Sequence, residues 1–188
     1  MLGGVLWLVL RPLVATTWNN PTFGLTYEDY NRLMVAPLAF LLLAALGLHG
    51  RYAAQTSGGP HRALPGIVLG VALMLLGVVV EFYFAGGVNT GDWTWSLVGW
   101  TTYLLGYLSM TVGLMLFGVQ AWRHGLLGRW SVLPLTMGWL GLLWLPAASF
   151  GTLPGAATQV LFGLAWVALG YHLWSSRVRE RPDIGSQR

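Results

Sequence analysis

Long apolar stretches joined by short polar connections follow one another along this chain. The apolar stretches are residues 3–17, 33–50, 64–87, 101–122, 132–150 and 156–175. An α-helix of about 20 residues crosses a hydrocarbon core of roughly 30 Å, and most of these stretches are near that length. We therefore predict an all-α fold, a polytopic integral membrane helical bundle. It has six transmembrane helices within residues 1–176, followed by a polar tail at residues 177–188.

The first stretch leaves an alternative open. It is short, and Arg11 and Pro12 interrupt it. Such a helix either crosses the membrane at a tilt or lies in the interface, which would give five transmembrane helices plus an interfacial N-terminal helix. It lacks the basic start and the small-residue cleavage site of a signal peptide, so we expect it to stay in the mature protein.

The polar connection before the second stretch carries a helix-start signal. Thr26 is followed by Glu28 and Asp29, which is a hydroxyl cap and then negative charge in the first turn. We predict that a helix begins there and continues into the second span, with a kink at Pro37.

Composition places most of the chain in lipid and removes several chemistries. Hydrophobic residues make up 55% of the 188 positions and charged residues only 9%, which is too little polar surface for a water-soluble domain. Cysteine is absent, which excludes disulfides, thiolate nucleophiles and iron–sulfur clusters. Every basic side chain is arginine, so lysine Schiff-base chemistry is excluded as well.

The arginines orient the bundle. Most of them follow the second, fourth and sixth spans, whereas the alternate connections hold only Arg32. Basic loops stay inside, so we predict a multi-pass protein of the plasma (inner) membrane with a cytoplasmic C-terminus. The N-terminus is cytoplasmic too if there are six spans. This also explains the net charge of +4 without nucleic-acid binding, and it makes the lipid bilayer the expected partner.

Glycines recur at seven-residue spacing in three of the spans. They are Gly70 and Gly77, Gly106 and Gly113, and Gly163 and Gly170. Seven residues make two helical turns, so each pair forms a stripe on which a neighbouring backbone can pack closely. We predict close contact among the third, fourth and sixth spans. The same stripes suit a homodimer or contacts with other membrane subunits.

Glu81 is the one charged residue in the 64–87 stretch and the most informative residue of the chain. A carboxylate at membrane depth must be paired, protonated or facing a wet cavity, and it marks a candidate functional site. Counting about 1.5 Å per residue places Arg11 at a similar depth, so we predict a buried ion pair that docks the first helix. The alternatives are a proton or solute pathway through Glu81 and a carboxyl group at the lipid face.

Further polar side chains fall near the same depth. They are Tyr83, Thr101, Thr102 and Tyr103. Together with Arg11 and Glu81 they are the candidate lining of a small outward-facing pocket.

The histidines all fall at the arginine-rich ends of the spans. They are His49, His61, His124 and His172. Imidazoles from different helices at one depth can ligate a metal or a b-type haem, which makes His49, His172 and His124 candidates. Neither HxxxH nor HExxH spacing is present, and histidine near a helix C-terminus is favourable without a ligand. We therefore expect no cofactor.

The tryptophans divide by depth into an outer interfacial group, an inner interfacial group (Trp122, Trp130 and Trp174) and a deeper group. Trp93, Trp95 and Trp100 are expected in an outer connection as part of an aromatic belt. The deeper group is Trp139, Trp144 and Trp166. These three could line a ligand cavity, although packing in the core or against lipid is the commoner role.

No catalytic motif stands out in the chain. It has no P-loop, dinucleotide fingerprint, serine elbow or paired carboxylates. We therefore expect a non-catalytic membrane protein, either a scaffold or accessory subunit or a binder of a lipophilic molecule. The alternatives are a small-solute or proton transporter or channel that uses Glu81, and a b-type haem redox protein.

Overall fold

The computed structural model describes residues 1–17, 21–53, 63–89, 91–150 and 152–179. Its helices are α1 (Leu2–Thr16), α2 (Tyr27–Leu33), α3 (Val35–Tyr52), α4 (Ala63–Val79), α5 (Trp93–His124), α6 (Leu133–Ser149) and α7 (Thr152–Arg179). A π-helical turn (Val80–Phe84) continues α4, and a 3₁₀ turn (Gly128–Trp130) precedes α6. In this part of the chain, five helical stretches are long and apolar enough to cross a membrane, and α1 is a shorter apolar helix. The predicted fold class is confirmed.

Six helices pack side by side into a closed ring in the order α1, α3, α4, α5, α6 and α7. The α4–α5 interface is the most extensive, and α1 closes the ring between α7 and α3. Each helix sends at least one large side chain inward, among them Trp7, Leu38, Met74, Tyr107, Met137 and Phe162. Many leucines remain exposed on the outside, including Leu43, Leu69, Leu105 and Leu143. An apolar exterior of this extent is stable only against lipid.

α1 lies alongside α7 and not across the end of the bundle. Met1 lies against Gly170, and Trp7 donates a hydrogen bond from Nε1 to Gln159 Oε1 at 3.2 Å. The 15 residues of α1 extend about 22 Å, less than a full hydrocarbon core. α1 is therefore shorter than the five candidate spans, and its packing along α7 carries Arg11 into the bundle.

The predicted helix start is confirmed at α2, whereas the irregularity predicted at Pro37 lies three residues earlier, at Met34. Thr26 Oγ1 accepts from the Asp29 backbone N–H, and Asp29 Oδ2 accepts from the Thr26 N–H, which forms a capping box. The helix then breaks at Met34, between α2 and α3. Pro37 is three residues further on and has no N–H to donate to the Leu33 carbonyl, which explains the break one turn before the proline.

Glycine packing agrees with the prediction for α4 and α5 only. Gly70 and Gly106 face each other across the interface, and Gly77 faces the backbone of Gly99 and Tyr103. The α7 pair was assigned the wrong neighbour. Gly163 and Gly170 lie against α1, because α1 occupies the position beside α7 in the ring.

The fourth span begins earlier than the sequence predicted. α5 starts at Trp93, and the Asp92 carboxylate caps it by accepting from the Thr94 N–H at 2.8 Å and the Trp95 N–H at 3.4 Å. Trp93, Trp95 and Trp100 therefore lie on the first turns of a helix, where all three are more than half exposed. Their assignment to a connection was wrong, because the capping aspartate was not used as a signal.

Candidate functional site

A cavity of about 270 Å³ lies in the half of the bundle where α4 ends and α5 begins. Its polar lining residues are Arg11, Tyr27, Asn31, Glu81 and Tyr103. Its apolar lining residues are Val78, Phe82, Trp100, Leu104, Trp144 and Leu145. Trp100 of α5 and Leu145 of α6 are 52% and 40% exposed, so they form a rim on the outside of the ring. The cavity therefore combines a few polar groups with mostly apolar walls.

The π-helical turn presents Glu81 to this cavity. The Ala85 N–H donates to the Val80 carbonyl five residues back, so the helix is locally wider than an α-helix. On the other side, Gly99 of α5 lies directly against the backbone and Cβ of Glu81, where any side chain at position 99 would collide. Glu81 is 4% exposed and its place is set by both helices. π-helical turns of this kind are frequent at functional sites.

Arg32 holds the same turn from outside. Its Nε donates to the Phe82 carbonyl at 3.1 Å, and its Nη1 forms an ion pair with Asp29 at 3.4 Å. Tyr83 donates from its hydroxyl back to the Arg32 carbonyl at 3.2 Å. α2 is thus fastened to the turn that carries Glu81.

Arg11 is held by aromatic rings. Its guanidinium carbon lies 5.4 Å from the ring centre of Trp144 and 5.9 Å from that of Trp7. Aromatic faces attract such a cation by about 0.5–2 kcal/mol, more strongly where water is excluded.

The predicted ion pair is not a direct contact in this structure. Arg11 and Glu81 line the same cavity, but no guanidinium nitrogen lies within 4.0 Å of a carboxylate oxygen. Arg11 lies against Trp7 of its own helix and Trp144 of α6, whereas Glu81 lies at the end of α4 against Gly99 of α5. Within the described residues, neither charged group makes a hydrogen bond or an ion pair. Two opposite charges therefore face one cavity with space between them.

Tyr103 adds a third polar group without a partner. Its hydroxyl oxygen is buried and makes no hydrogen bond. Its ring stacks on Tyr107 at 6.4 Å, and Tyr107 donates from its hydroxyl to the Gly141 carbonyl at 3.1 Å. Gln159 lies between Tyr107 and Trp7 and bonds both. An ordered polar network thus supports the cavity wall from behind, while the Tyr103 hydroxyl stays unsatisfied.

Other residues predicted for the pocket lie elsewhere. Tyr83 is 57% exposed on the outside of the bundle. Thr101 is exposed, and Thr102 donates from Oγ1 to the Val98 carbonyl at 2.8 Å within its own helix. None of the three lines the cavity. Counting residues along a helix could not show on which side of its helix each of these residues lies.

The end of the cavity region is covered by α2 and the turn after α4. Asn89 donates from Nδ2 to Glu28 Oε1 at 2.7 Å, and Ser96 donates from Oγ to the Gly87 carbonyl at 3.0 Å. Glu28, Asp29 and Asp92 therefore serve as acceptors for loop and cap donors. Trp100 and Leu145 form the exposed rim of the cavity.

The candidate haem ligands do not form one cluster. His124 is exposed at the end of α5, His49 has a buried Nδ1 without a partner, and the His172 ring packs on Trp130 at 5.9 Å. The described part of the chain holds no group of three or more residues that could ligate a metal. The haem interpretation stays a prediction that an absorption spectrum of the purified protein tests.

Sequence reasoning missed Trp7, Arg32 and Asn31 as parts of this site. Trp7 lies four residues before Arg11, one helical turn away, and that spacing could have indicated a cation held by an aromatic ring. Arg32 had no comparable signal, because its acceptor is the backbone carbonyl of Phe82, which is fifty residues away in the sequence.

Comparison with known proteins does not identify a family for this chain. The chain matches no protein-family model, no curated protein and no solved structure. The class that fold and site define is a helical membrane protein with a mixed polar and apolar cavity in its bundle.

Proposed function

We propose that this protein is a non-catalytic, multi-pass protein of the plasma membrane that binds a small lipophilic molecule carrying a polar group. The observation that carries the proposal is the joint position of Arg11, Glu81 and the Tyr103 hydroxyl on one mostly apolar cavity. Polar groups buried without partners are costly, and a ligand that satisfies them recovers that energy.

Size and shape support a small ligand. The cavity volume of about 270 Å³ is near the lower end of the range of roughly 300–1,000 Å³ typical of ligand pockets. Apolar walls with a few placed polar groups are the usual composition of such pockets. A rim formed by Trp100 and Leu145 gives a molecule dissolved in the bilayer a short path inward.

The position of α1 supports the orientation in the membrane that the arginines predict. Met1 lies against Gly170, so the N-terminus of α1 is at the arginine-rich end of α7. We infer that both termini are cytoplasmic and that the cavity belongs to the outer half of the bilayer.

A matched pair of leucines tests ligand binding. Leu104 lines the cavity, and its neighbour Leu105 is 58% exposed on the lipid side of α5. The wild type, Leu104→Trp and Leu105→Trp are extracted from native membranes in polymer-bounded nanodiscs, and co-purifying small molecules are identified by mass spectrometry. We expect a molecule that is retained by the wild type and Leu105→Trp and lost from Leu104→Trp. Identical profiles for all three proteins would reject the proposal.

A second function, proton transfer through Glu81, is favoured by one observation. The carboxylate stands on a π-helical turn, faces a cavity and has no partner among the described residues. The rate of proton entry under a pH gradient is measured with an internal pH-sensitive dye in proteoliposomes that contain either the wild type or Glu81→Gln. Faster proton entry in the wild type, at equal protein content and equal melting midpoint, would place this function above ligand binding.

A further inference from the structure

Three polar groups of the cavity at Glu81 have no hydrogen-bond or ion-pair partner in the described part of the chain. They are the Arg11 guanidinium, the Glu81 carboxylate and the Tyr103 hydroxyl. Arginine only donates hydrogen bonds, an ionised glutamate only accepts them, and a tyrosine hydroxyl does either. A ligand that satisfies all three groups therefore carries both an acceptor and a donor.

Contacts behind the cavity place Arg11 and Tyr103 at one depth. Trp7 and Tyr107 bond the same side chain, Gln159, at 3.2 and 3.5 Å, so they lie at one level of the bundle. α1 begins at the end of the bundle where α5 ends, so the two helices run in opposite directions. Arg11 is four residues after Trp7, and Tyr103 is four residues before Tyr107. Each is therefore displaced by about one helical turn, roughly 5.4 Å, toward the same end.

Glu81 lies about one further turn toward that end. Across the α4–α5 interface, Gly77 faces the backbone of Tyr103, and Gly99 faces that of Glu81. Four residues separate Gly77 from Glu81 on α4 and Gly99 from Tyr103 on α5, which is about 6 Å along each helix. The acceptor at the carboxylate is therefore about one turn away from the donors at Arg11 and Tyr103.

The walls and the charges of the cavity favour a flat ligand without net charge. Phe82, Trp100 and Trp144 line the cavity, and aromatic rings pack well on another flat ring. The charges of Arg11 and Glu81 are opposite, so a ligand with a net charge would meet a like charge in the same cavity. It would also lose its hydration against mostly apolar walls, which is costly.

We propose that the ligand is a neutral aromatic molecule with a hydrogen-bond acceptor at one end of its ring and a donor at the other. The acceptor binds the Arg11 N–H groups and the Tyr103 hydroxyl, and the donor binds the Glu81 carboxylate. Polar atoms at the para positions of one benzene ring are about one helical turn apart, roughly 5.4 Å, which fits this arrangement. The inference rests on the ligand-binding function proposed above and adds the chemical class of the ligand.

Four small probes of similar size test the ligand class. Para-hydroxyacetophenone carries a carbonyl and a hydroxyl at opposite ends of its ring, acetophenone has only the acceptor, and para-ethylphenol has only the donor. In the ortho isomer of hydroxyacetophenone, the two groups bond each other. Isothermal titration calorimetry measures binding to the purified protein in detergent, with Leu104→Trp as the baseline for uptake by micelles. We expect para-hydroxyacetophenone to bind about tenfold more tightly than each of the other three.

Three variants assign this preference to the cavity. Glu81→Leu should bind para-hydroxyacetophenone about tenfold more weakly and acetophenone as before. Tyr103→Phe removes a hydroxyl without a partner in the described structure, so it should keep the melting midpoint and weaken binding of para-hydroxyacetophenone about threefold. Tyr171→Phe is the matched control, because Tyr171 is 52% exposed on α7 and does not line the cavity. A loss in Tyr171→Phe equal to that in Tyr103→Phe would overturn the proposal.

The outcomes separate the ligand class from the function on which it rests. Equal affinities for all four probes, abolished by Leu104→Trp, would overturn the ligand class and leave ligand binding in place. Absence of binding by every probe would also overturn the class, whereas ligand binding itself fails only if the co-purifying molecules do not depend on Leu104. Tighter binding of zwitterionic phenylalanine than of para-hydroxyacetophenone would overturn the assignment of a neutral ligand.

Discussion

An arginine can be kept inside a membrane by aromatic rings as well as by a carboxylate. Arg11 lies against Trp7 and Trp144, and its distance from Glu81 exceeds that of an ion pair. The stability of α1 in the ring should therefore depend on tryptophan more than on the acid.

Trp144→Leu should lower the free energy of unfolding by about 2–4 kcal/mol, through lost burial, lost attraction to Arg11 and the lost edge contact with Tyr107 at 5.2 Å. Trp139→Leu is the control, because Trp139 is on the same helix and 52% exposed. It should change stability by less than about 0.5 kcal/mol. Chemical denaturation in detergent micelles measures both, and equal losses would contradict the role given to Trp144.

Glu81→Gln should leave stability almost unchanged. The carboxylate makes no hydrogen bond or ion pair in the described part of the chain, so no contact is lost, and a neutral side chain is cheaper to bury. We expect a shift in the melting midpoint of at most about 2 °C. A drop of several degrees, measured by thermal unfolding in the same detergent, would restore the ion-pair interpretation.

Residue depth was predictable from the sequence, and residue direction was not. Counting along two helices placed Arg11 and Glu81 at one height, and both line one cavity. The count could not show that Arg11 turns toward Trp144 or that Thr102 bonds its own helix. Those outcomes depend on the rotation of each helix, which tertiary packing sets.

At the scale of helices, the α4–α5 interface depends on the absence of side chains at a few positions. Gly77→Ala would bring a methyl group against the backbone of Gly99 and Tyr103 and should destabilise the protein by about 1–3 kcal/mol. It should also disturb the cavity, because Tyr103 lines it. Gly66→Ala is the matched control on α4, since no atom lies near its added methyl group, and it should be neutral or slightly stabilising. Thermal unfolding of the two variants side by side distinguishes them, and equal midpoints would contradict the close packing.

Helix limits were predicted well where the prediction relied on a capping residue or a proline. They were predicted poorly where it relied on composition alone. The capping box at Thr26 and the break before Pro37 followed from local chemistry. The start of α5 was missed because the tryptophans after Asp92 were assigned to the interface by composition alone. The π-helical turn was not predicted, because it contains neither a proline nor a capping residue of the kind used for the other helix limits.

For the whole molecule, the absence of cysteine makes the topology directly testable. Thr94→Cys lies at the start of α5 and His124→Cys at its end, and both positions are exposed. A membrane-impermeant maleimide should label Thr94→Cys in intact cells and His124→Cys only after permeabilisation. Leu2→Cys should behave like His124→Cys, because α1 begins beside Gly170. Labelling of Leu2→Cys in intact cells would place α1 the other way round.

The π-helical turn at Val80–Phe84 has a consequence for the length of this segment. Each residue of a helix advances its direction by about 100°, so deleting one residue just before Glu81 would close the turn into a regular α-helix and rotate the acid away from the cavity. A single-codon deletion would thus remove the Glu81 carboxylate from the cavity lining without replacing any lining residue. Chains that differ from this one by one residue at that point would keep the architecture and lose the acid from its interior.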